Sequence, residues 1–516
     1  MLPGTKVSKR PTGFSLQENS ENLNNGEKQM AAMATLTGAS PTDAEIWEAI
    51  SWPKVTADVF RLQMRIAKAV RTGRWGKAKA LQLLLVNSFS AKVLAVKRVT
   101  QNSGHKTPGV DGVVWKTAKQ KLQAAKMLKR RGYQPLPLRR ISIPKQDSKK
   151  LRNLHIPAMF DRAQQALYLL GLEPIAETLA DHNSYGFRPK RSAADAIGKC
   201  FILLARKSSA KWILNGDIKA CFDTIDHKWL CNNIPMDREI LNKWLIAGYI
   251  EKQKFYPTES GTAQGSIISP TILTITLAGL EEAIKTVVST TDKVHLVTYA
   301  DDFIVTGATK EVLENKIKPV ISKFLRERGL ELSQDKTTIT HIEKEGFDFL
   351  GFHGRKYKTK LLIKPQKERV KKFLNMIRKT IKTSHSIKTE ELIGWLNTRI
   401  IGWANYYRHV VAKKIFGYVD HKIFWALWKW IKRRHPQKSS SWRIKNYFRN
   451  NKLRRWIFFA KFKDNKGNKQ IIELAQAACI RIERHIKIKA DATPYDPKFK
   501  EYFAKRRDYR MKNNKI

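Results

Sequence analysis

The chain has 516 residues, 42% of them hydrophobic, which is enough to bury cores in two to four domains. Lys and Arg number 98 against 45 Asp and Glu, and a net charge of +53 far exceeds what solubility needs, so a polyanionic partner is expected. The four cysteines, at 200, 221, 231 and 479, form neither a C-x-x-C pair nor a Cys/His cluster, and no run of about 18 apolar residues occurs, which argues against a disulfide framework, a zinc knot and a membrane-spanning helix.

Residues 1–45 are rich in Asn, Ser, Glu and Gly and read as a disordered tail without the apolar core of a secretory signal. From about 57 to 100 apolar residues recur at helical spacing with Arg and Lys on the other face, predicting basic amphipathic helices. "NSGHKTPGVDG" (102–112) is a loop, and "LRRISIPKQDSKKLRNLHIP" (138–157) a β-hairpin bounded by prolines. A helix follows in "AMFDRAQQALYLLGLEPIAETL", then a short strand in "AKWILNGDIKA" (210–220) with Asp217 near its end. Residues 294–306 read as a tight hairpin with Asp301 and Asp302 at its tip. Three helices are expected from about 364 to 435, and a hairpin and further basic helix after 440. Residues 353–516 carry 45 basic and 11 acidic side chains interleaved with aromatic rings, a mixture that suits phosphates and stacked bases. Within "DHKIFWALWKWIKRRH", Phe424, Trp428 and Ile431 fall at i, i+4 and i+7 and are expected in the helix core. Trp425, Lys429, Lys432, Arg433 and Arg434 fall mostly off that stripe and are candidates for nucleic-acid contact.

Adjacent acids at a turn repel each other unless a cation shares them. With Asp217 as a third ligand, the set fits a two-metal centre for phosphoryl chemistry. Alone, "YADD" (299–302) fits a simple turn former equally well.

The order of motifs resembles the reverse transcriptases encoded by group II introns, the maturase family, over roughly residues 57–500. "LNGDIKACFDTIDH" (214–227) is similar to the first metal motif, "GTAQGSIISP" (261–270) to the nucleotide-contacting loop and "YADD" to the second metal motif. "NSYGFRPKRSAADAI" (183–197), "GLELSQDKTTI" (329–339), "GFDFLGF" (346–352) and "GWANYYRH" (402–409) match further blocks of the family in sequence order.

The resemblance implies an α+β right-hand polymerase: a tail at 1–45, an N-terminal extension and fingers at 46–210, a palm at 211–360, a helical thumb or maturase domain at 361–435 and a basic DNA-binding region at 436–516. It implies two Mg²⁺ ions held by Asp217, Asp301, Asp302 and the Ile218 carbonyl, and nucleotide contacts from Lys145, Arg152, Phe222, Gln264 and Gly265. Phe222 would block a ribose 2′-hydroxyl, and Ala263 stands where the family usually has proline. Implied nucleic-acid contacts are Arg188, Lys190, Arg191, Tyr406 and Arg408, beside the thumb candidates above. The implied function is RNA-directed DNA synthesis combined with splicing of the intron RNA and its copying at a DNA target, with dNTPs and a template–primer duplex as partners, no membrane and a cytoplasmic, bacterial location. A splicing factor with a vestigial polymerase, or a reverse transcriptase of a retron or defence element, is the alternative. No His follows His485 and Cys479 is the only cysteine after 231, so the C-terminal HNH nuclease of some relatives is not expected.

Overall fold

In the computed structural model, which describes residues 42–144, 151–450, 454–464 and 467–513, distant chain segments assemble into two units. The first comprises Met1–Leu179, Phe222–Thr276 and Thr493–Ile516, the second Ala180–Cys221 and Leu277–Ala492. The strands in chain order are β1 (Leu138–Pro144), β2 (Leu151–Ile156), β3 (Trp212–Lys219), β4 (Tyr249–Glu251), β5 (Lys254–Tyr256), β6 (His295–Tyr299), β7 (Asp302–Gly307), β8 (Glu331–Leu332), β9 (Thr338–His341), β10 (Phe347–Phe349), β11 (Phe352–Tyr357), β12 (Lys360–Pro365), β13 (Phe448–Arg449), β14 (Ile457–Lys463) and β15 (Lys469–Glu473).

In the first unit the Trp52–Arg71 helix opens on Pro53, whose missing N–H costs nothing in a first turn, and buries Val55, Val59, Ile66 and Val70 along one face. It packs with Trp75–Asn87 and Phe89–Gln101 on the Met159–Leu179 helix, whose side chains are buried almost throughout. That burial takes polar groups with it, and the two charged ones at its start, Asp161 and Arg162, find partners. Asp161 accepts from Tyr133 Oη at 2.7 Å and from the Leu136 amide at 3.1 Å, and burial still raises its carboxyl to about 6. Arg162 donates to the carbonyls of Gly104, Thr107 and Pro157 and so fixes the 102–108 loop. The sheet of this unit runs β2-β1-β4-β5, with β1 antiparallel to β2 and parallel to β4. The C-terminal segment belongs here too: Tyr495 Oη donates to Glu173 at 2.6 Å and Arg71 pairs with Asp496.

In the second unit the sheet runs β6-β7-β3-β8, and β9 also pairs with β3. Ile213, Leu214, Val297, Ile304 and Val305 fill its interior. A β10-β11-β12 sheet leads into three helices, Lys367–Thr383, Thr389–Tyr407 and Lys413–Arg434, in which Phe373 and Trp403 stack at 4.8 Å. The β13-β14-β15 sheet follows. Residues 480–492 then run as an extended strap beside the Ala193–Leu204 helix. Fully buried Asp195 accepts from His485 Nε2 at 2.9 Å and from the Ile488 amide at 2.7 Å, and Arg191 donates to the carbonyls of Ala490 and Ala492.

Residues 180–210 pack with the strands after them, and the basic region 436–516 divides between the units at Thr493. The reason is that the 480–492 strap and the 493–499 segment have no core of their own and bury their contacts on earlier elements.

Candidate active site and nucleic-acid contacts

The antiparallel pairing of β3 with β7 sets Asp217 directly opposite Asp302. Opposed side chains on neighbouring strands lie about 5 Å apart at Cβ, and like charges there are destabilising. Asp301 sits beside them in the turn of the β6–β7 hairpin, whose Ala300 adopts a left-handed φ of 58°. Two glycines make room for this geometry. A Cβ on Gly186 would lie 2.2 Å from the Ala300 amide, and one on Gly216 would lie 2.2 Å from the Phe303 ring. The 183–186 segment pairs alongside β6 through Tyr185 and Thr298, so it forms a floor under the acidic turn.

Asp302 is open to solvent on one side but crowded by protein on the others. That crowding, and then the charges of Asp301 and Asp217, raise its carboxyl to about 6, while Lys336 and Arg369 pull it down. Lys336 Nζ donates to Asp217 Oδ2 at 2.6 Å, and this bond, with the field of Asp301 and Asp302, raises the lysine above its ordinary value. Lys336 lies within the "GLELSQDKTTI" block, whose match gives it no role, and Arg369 is one cation among 98 that carries no signal until the fold brings it near the carboxylates. Ile218, whose carbonyl is a candidate ligand, pairs with Leu332 of β8. Among the described residues no three His, Cys, Asp or Glu close a metal cage unaided. The donor set nonetheless suits Mg²⁺, which takes one or two carboxylates and completes its shell with water and substrate phosphates.

The expected nucleotide contacts lie in the first unit, apart from Lys145, which falls outside the described residues. With the Gln264 amide oriented to satisfy both its ends, its oxygen accepts from Arg152 Nη2 and Nε at 2.9 and 3.1 Å and its nitrogen donates to the Asn153 carbonyl at 3.1 Å. The Gln264 carbonyl accepts from the His155 amide at 2.8 Å, so the loop is bonded to β2 although Ala263 replaces the family's proline. Gly265 has φ of +114°, and a Cβ there would meet the His155 carbonyl at 2.9 Å, so only glycine fits. Phe222 is half-buried, and its carbonyl accepts from the Thr262 amide of the same loop at 2.6 Å.

The nucleic-acid candidates divide. Arg188 is buried and donates to the Asp181 and Ser184 carbonyls, and Arg191 is held by the strap, so these two serve the fold. Arg408 pairs with Glu483 at 2.5 Å, and Arg434 donates to the His385 and Ile387 carbonyls while lying over Trp430. Tyr406 donates to the Leu350 carbonyl at 2.8 Å and stacks on Phe352, which docks its helix on the 349–352 turn. Each of these polar groups has an internal acceptor that sequence spacing does not reveal. Lys190, Trp425, Lys429, Lys432 and Arg433 remain exposed. Of the expected thumb stripe Ile431 is buried, but the rest of the buried face lies one residue earlier, at Ile423, Leu427 and Trp430. Phe424 and Trp428 are half-buried and pack against Phe448 and Trp456, a partner sheet that helical periodicity cannot anticipate.

Residues 143–354 match the family described as reverse transcriptase (RNA-dependent DNA polymerase), residues 47–128 the N-terminal domain of reverse transcriptase, and residues 370–448 the group II intron maturase-specific domain. Protein YkfC of Escherichia coli (strain K12) is 33% identical over 301 residues, covering 49% of this chain and 77% of YkfC. The chain belongs to the group II intron reverse transcriptase and maturase family. The group II intron-encoded protein LtrA of Lactococcus lactis subsp. cremoris is 27% identical over 495 residues, covering 74% of this chain and 81% of LtrA. This reverse transcriptase thus has the expected α+β polymerase fold followed by a helical maturase region, and the expected enzyme class, an RNA-directed DNA polymerase, is borne out. The family's catalysis uses a divalent metal. Among the described residues no single helix is long and apolar enough to cross a membrane.

Proposed function

We propose that this reverse transcriptase binds its group II intron RNA, promotes its splicing and copies it into DNA at a DNA target, using Asp217, Asp301, Asp302 and the Ile218 carbonyl to hold two Mg²⁺ ions. The observation that carries the reading is the opposition of Asp217 and Asp302 across β3–β7 with Asp301 adjoining. Bound there, the two ions would activate a primer 3′-hydroxyl and offset charge on the leaving pyrophosphate. The protein's own share is positional. The strand register fixes the carboxylates before substrate arrives, and Lys336 supplies positive charge beside them. Arg152, whose Nε and Nη2 are held by Gln264, is assigned a phosphate contact, and Phe222 is assigned the ring that excludes a ribose hydroxyl. The exposed cations Lys190, Lys429, Lys432 and Arg433, with Trp425, are assigned to nucleic-acid backbone and base contact. The maturase-specific region supports RNA as the partner. Extension of a DNA primer on an RNA template with dNTPs and Mg²⁺ tests the polymerase half, and splicing of the cognate intron at low Mg²⁺ tests the other. Extension that survives loss of any of the three aspartates would overturn the assignment.

A further inference from the structure

One face of the β2-β1-β4-β5 sheet carries aromatic and cationic groups that the proposed chemistry does not use. Register places Arg140 opposite His155 and Tyr249 opposite Tyr256. The Tyr249 and Tyr256 rings stack at 5.2 Å with an interplanar angle of 14°, and His155 lies 5.1 Å from Tyr249 on the other side. Arg140 covers the Tyr249 ring at 4.6 Å and donates to its hydroxyl at 2.5 Å. The row starts at the Gln264 loop, which is bonded to His155, and ends on the edge strand β5, where Tyr256 is 38% exposed.

Two polar atoms in this row are buried without a hydrogen-bond partner among the described residues: Arg140 Nε and His155 Nδ1. Buried polar atoms are normally satisfied, so such a pair beside an open ring points to a ligand with its own donors and acceptors. Burial and the nearby Arg140 charge hold His155 below its usual range, so it faces a ligand as a neutral ring. Glu251 lies 3.6 Å from Arg140 and stands opposite Lys254 across the β4–β5 pair, and the Asp223 charge acts on His155 against that of Arg140, so the charges around the row balance and the cation of Lys254 lies at its open end. A flat π-surface, an exposed lysine at its open end and unspent hydrogen-bonding groups together match a nucleobase on a phosphodiester strand better than a peptide or a lipid.

We propose that the Arg140–His155–Tyr249–Tyr256 face is a stacking site for an unpaired base of the RNA template. The inference rests on the reading of the chain as an RNA-copying polymerase and adds a place for template that is not yet paired.

The test uses the full chain with RNA template–DNA primer duplexes that are blunt or carry three unpaired 5′ template nucleotides, one of them 2-aminopurine. Wild-type protein should quench the fluorophore and bind the overhung duplex more tightly. Tyr256→Ala should remove about 5- to 150-fold of that preference, the range for one base–aromatic stack, and leave blunt-duplex affinity unchanged. Tyr256→Phe keeps the ring and should retain the preference, which separates stacking from misfolding. Equal affinity of wild type for both duplexes, or equal loss on both in Tyr256→Ala, would overturn the site. A chain that prefers the overhang but extends no primer would keep the site and overturn the polymerase reading.

Discussion

Asp217 and Asp302 are a directly opposed pair on antiparallel strands, an arrangement that costs stability unless positive charge lies between or beside the two carboxylates. Lys336 supplies part of that charge and metal is assigned the rest. Asp302→Asn should therefore lower primer extension by about 100- to 1,000-fold or more, the scale set by losing one charge-stabilising group at a reacting phosphate. RNA affinity should stay within a few fold, since the exposed cations that meet phosphates are untouched. Filter binding alongside single-turnover extension separates the two, and a parallel loss of both would contradict the assignment.

The same pair predicts a pH dependence. Asp302 holds its proton up to about pH 6 and must release it to bind metal, so extension at subsaturating Mg²⁺ should climb as pH rises through about 6. Raising Mg²⁺ should move the midpoint down. Lys336→Met removes a charge that lowers the Asp302 value, so the midpoint should move up in that variant. A midpoint that ignores both changes would assign the titration to another group.

Linkage gives the stability counterpart. The folded-state value lies above the ordinary 3.8, so the folded chain keeps a proton that the unfolded chain has lost, and metal-free stability at this site falls as pH rises between about 4 and 6. Asp302→Asn should raise the Tm in chelator at pH 7.5 and leave it unchanged near pH 4. Differential scanning fluorimetry at the two pH values checks this, and equal shifts at both would remove the like-charge explanation.

Much of this site is legible in the sequence because its chemistry is local. "YADD" declares a turn by the apolar runs around it, and Asp217 ends a run that reads as a strand. The register that opposes Asp217 to Asp302 is not legible, since pairing partners about 85 residues apart are set by the whole sheet. The cations show the same limit. Arg188, Arg191 and Arg408 read as nucleic-acid contacts through the family resemblance and Arg434 through its place off the helical stripe, whereas their partners are carbonyls and a carboxylate that only the fold brings near.

The nucleotide loop offers a sharper test of close packing. Gly265→Ala puts a Cβ 2.9 Å from the His155 carbonyl at a φ of +114°, a conformation that costs on the order of 1–3 kcal/mol for other residues. The loop should move off β2 and release Gln264 from Arg152. The expected result is a higher KM for dNTPs with the fold retained, measured by steady-state extension and thermal melting. An unchanged KM would separate this loop from nucleotide binding.

The basic C-terminal region can be tested by charge but not by deletion. Cutting before the 480–492 strap would strip His485 and the Ile488 amide from Asp195, leaving a buried carboxylate without two of its partners, and breaking a buried pair in this way costs about 3–5 kcal/mol. A truncated chain would thus lose RNA binding through misfolding, whatever its charges do. Lys500 and Lys505 on the Lys500–Asn513 helix are exposed and can be changed without touching the strap. If this helix meets nucleic-acid phosphates, Lys500→Ala with Lys505→Ala should reduce the slope of log K against log salt by about 1 for each phosphate no longer neutralised, uniformly across sequences. Affinity for RNA and for DNA should be titrated separately over about 50–200 mM salt, a range in which such ionic pairing dominates. A slope lowered for DNA alone assigns the helix to the target duplex, one lowered for RNA alone assigns it to the intron, and an unchanged slope in both makes it a solvated surface.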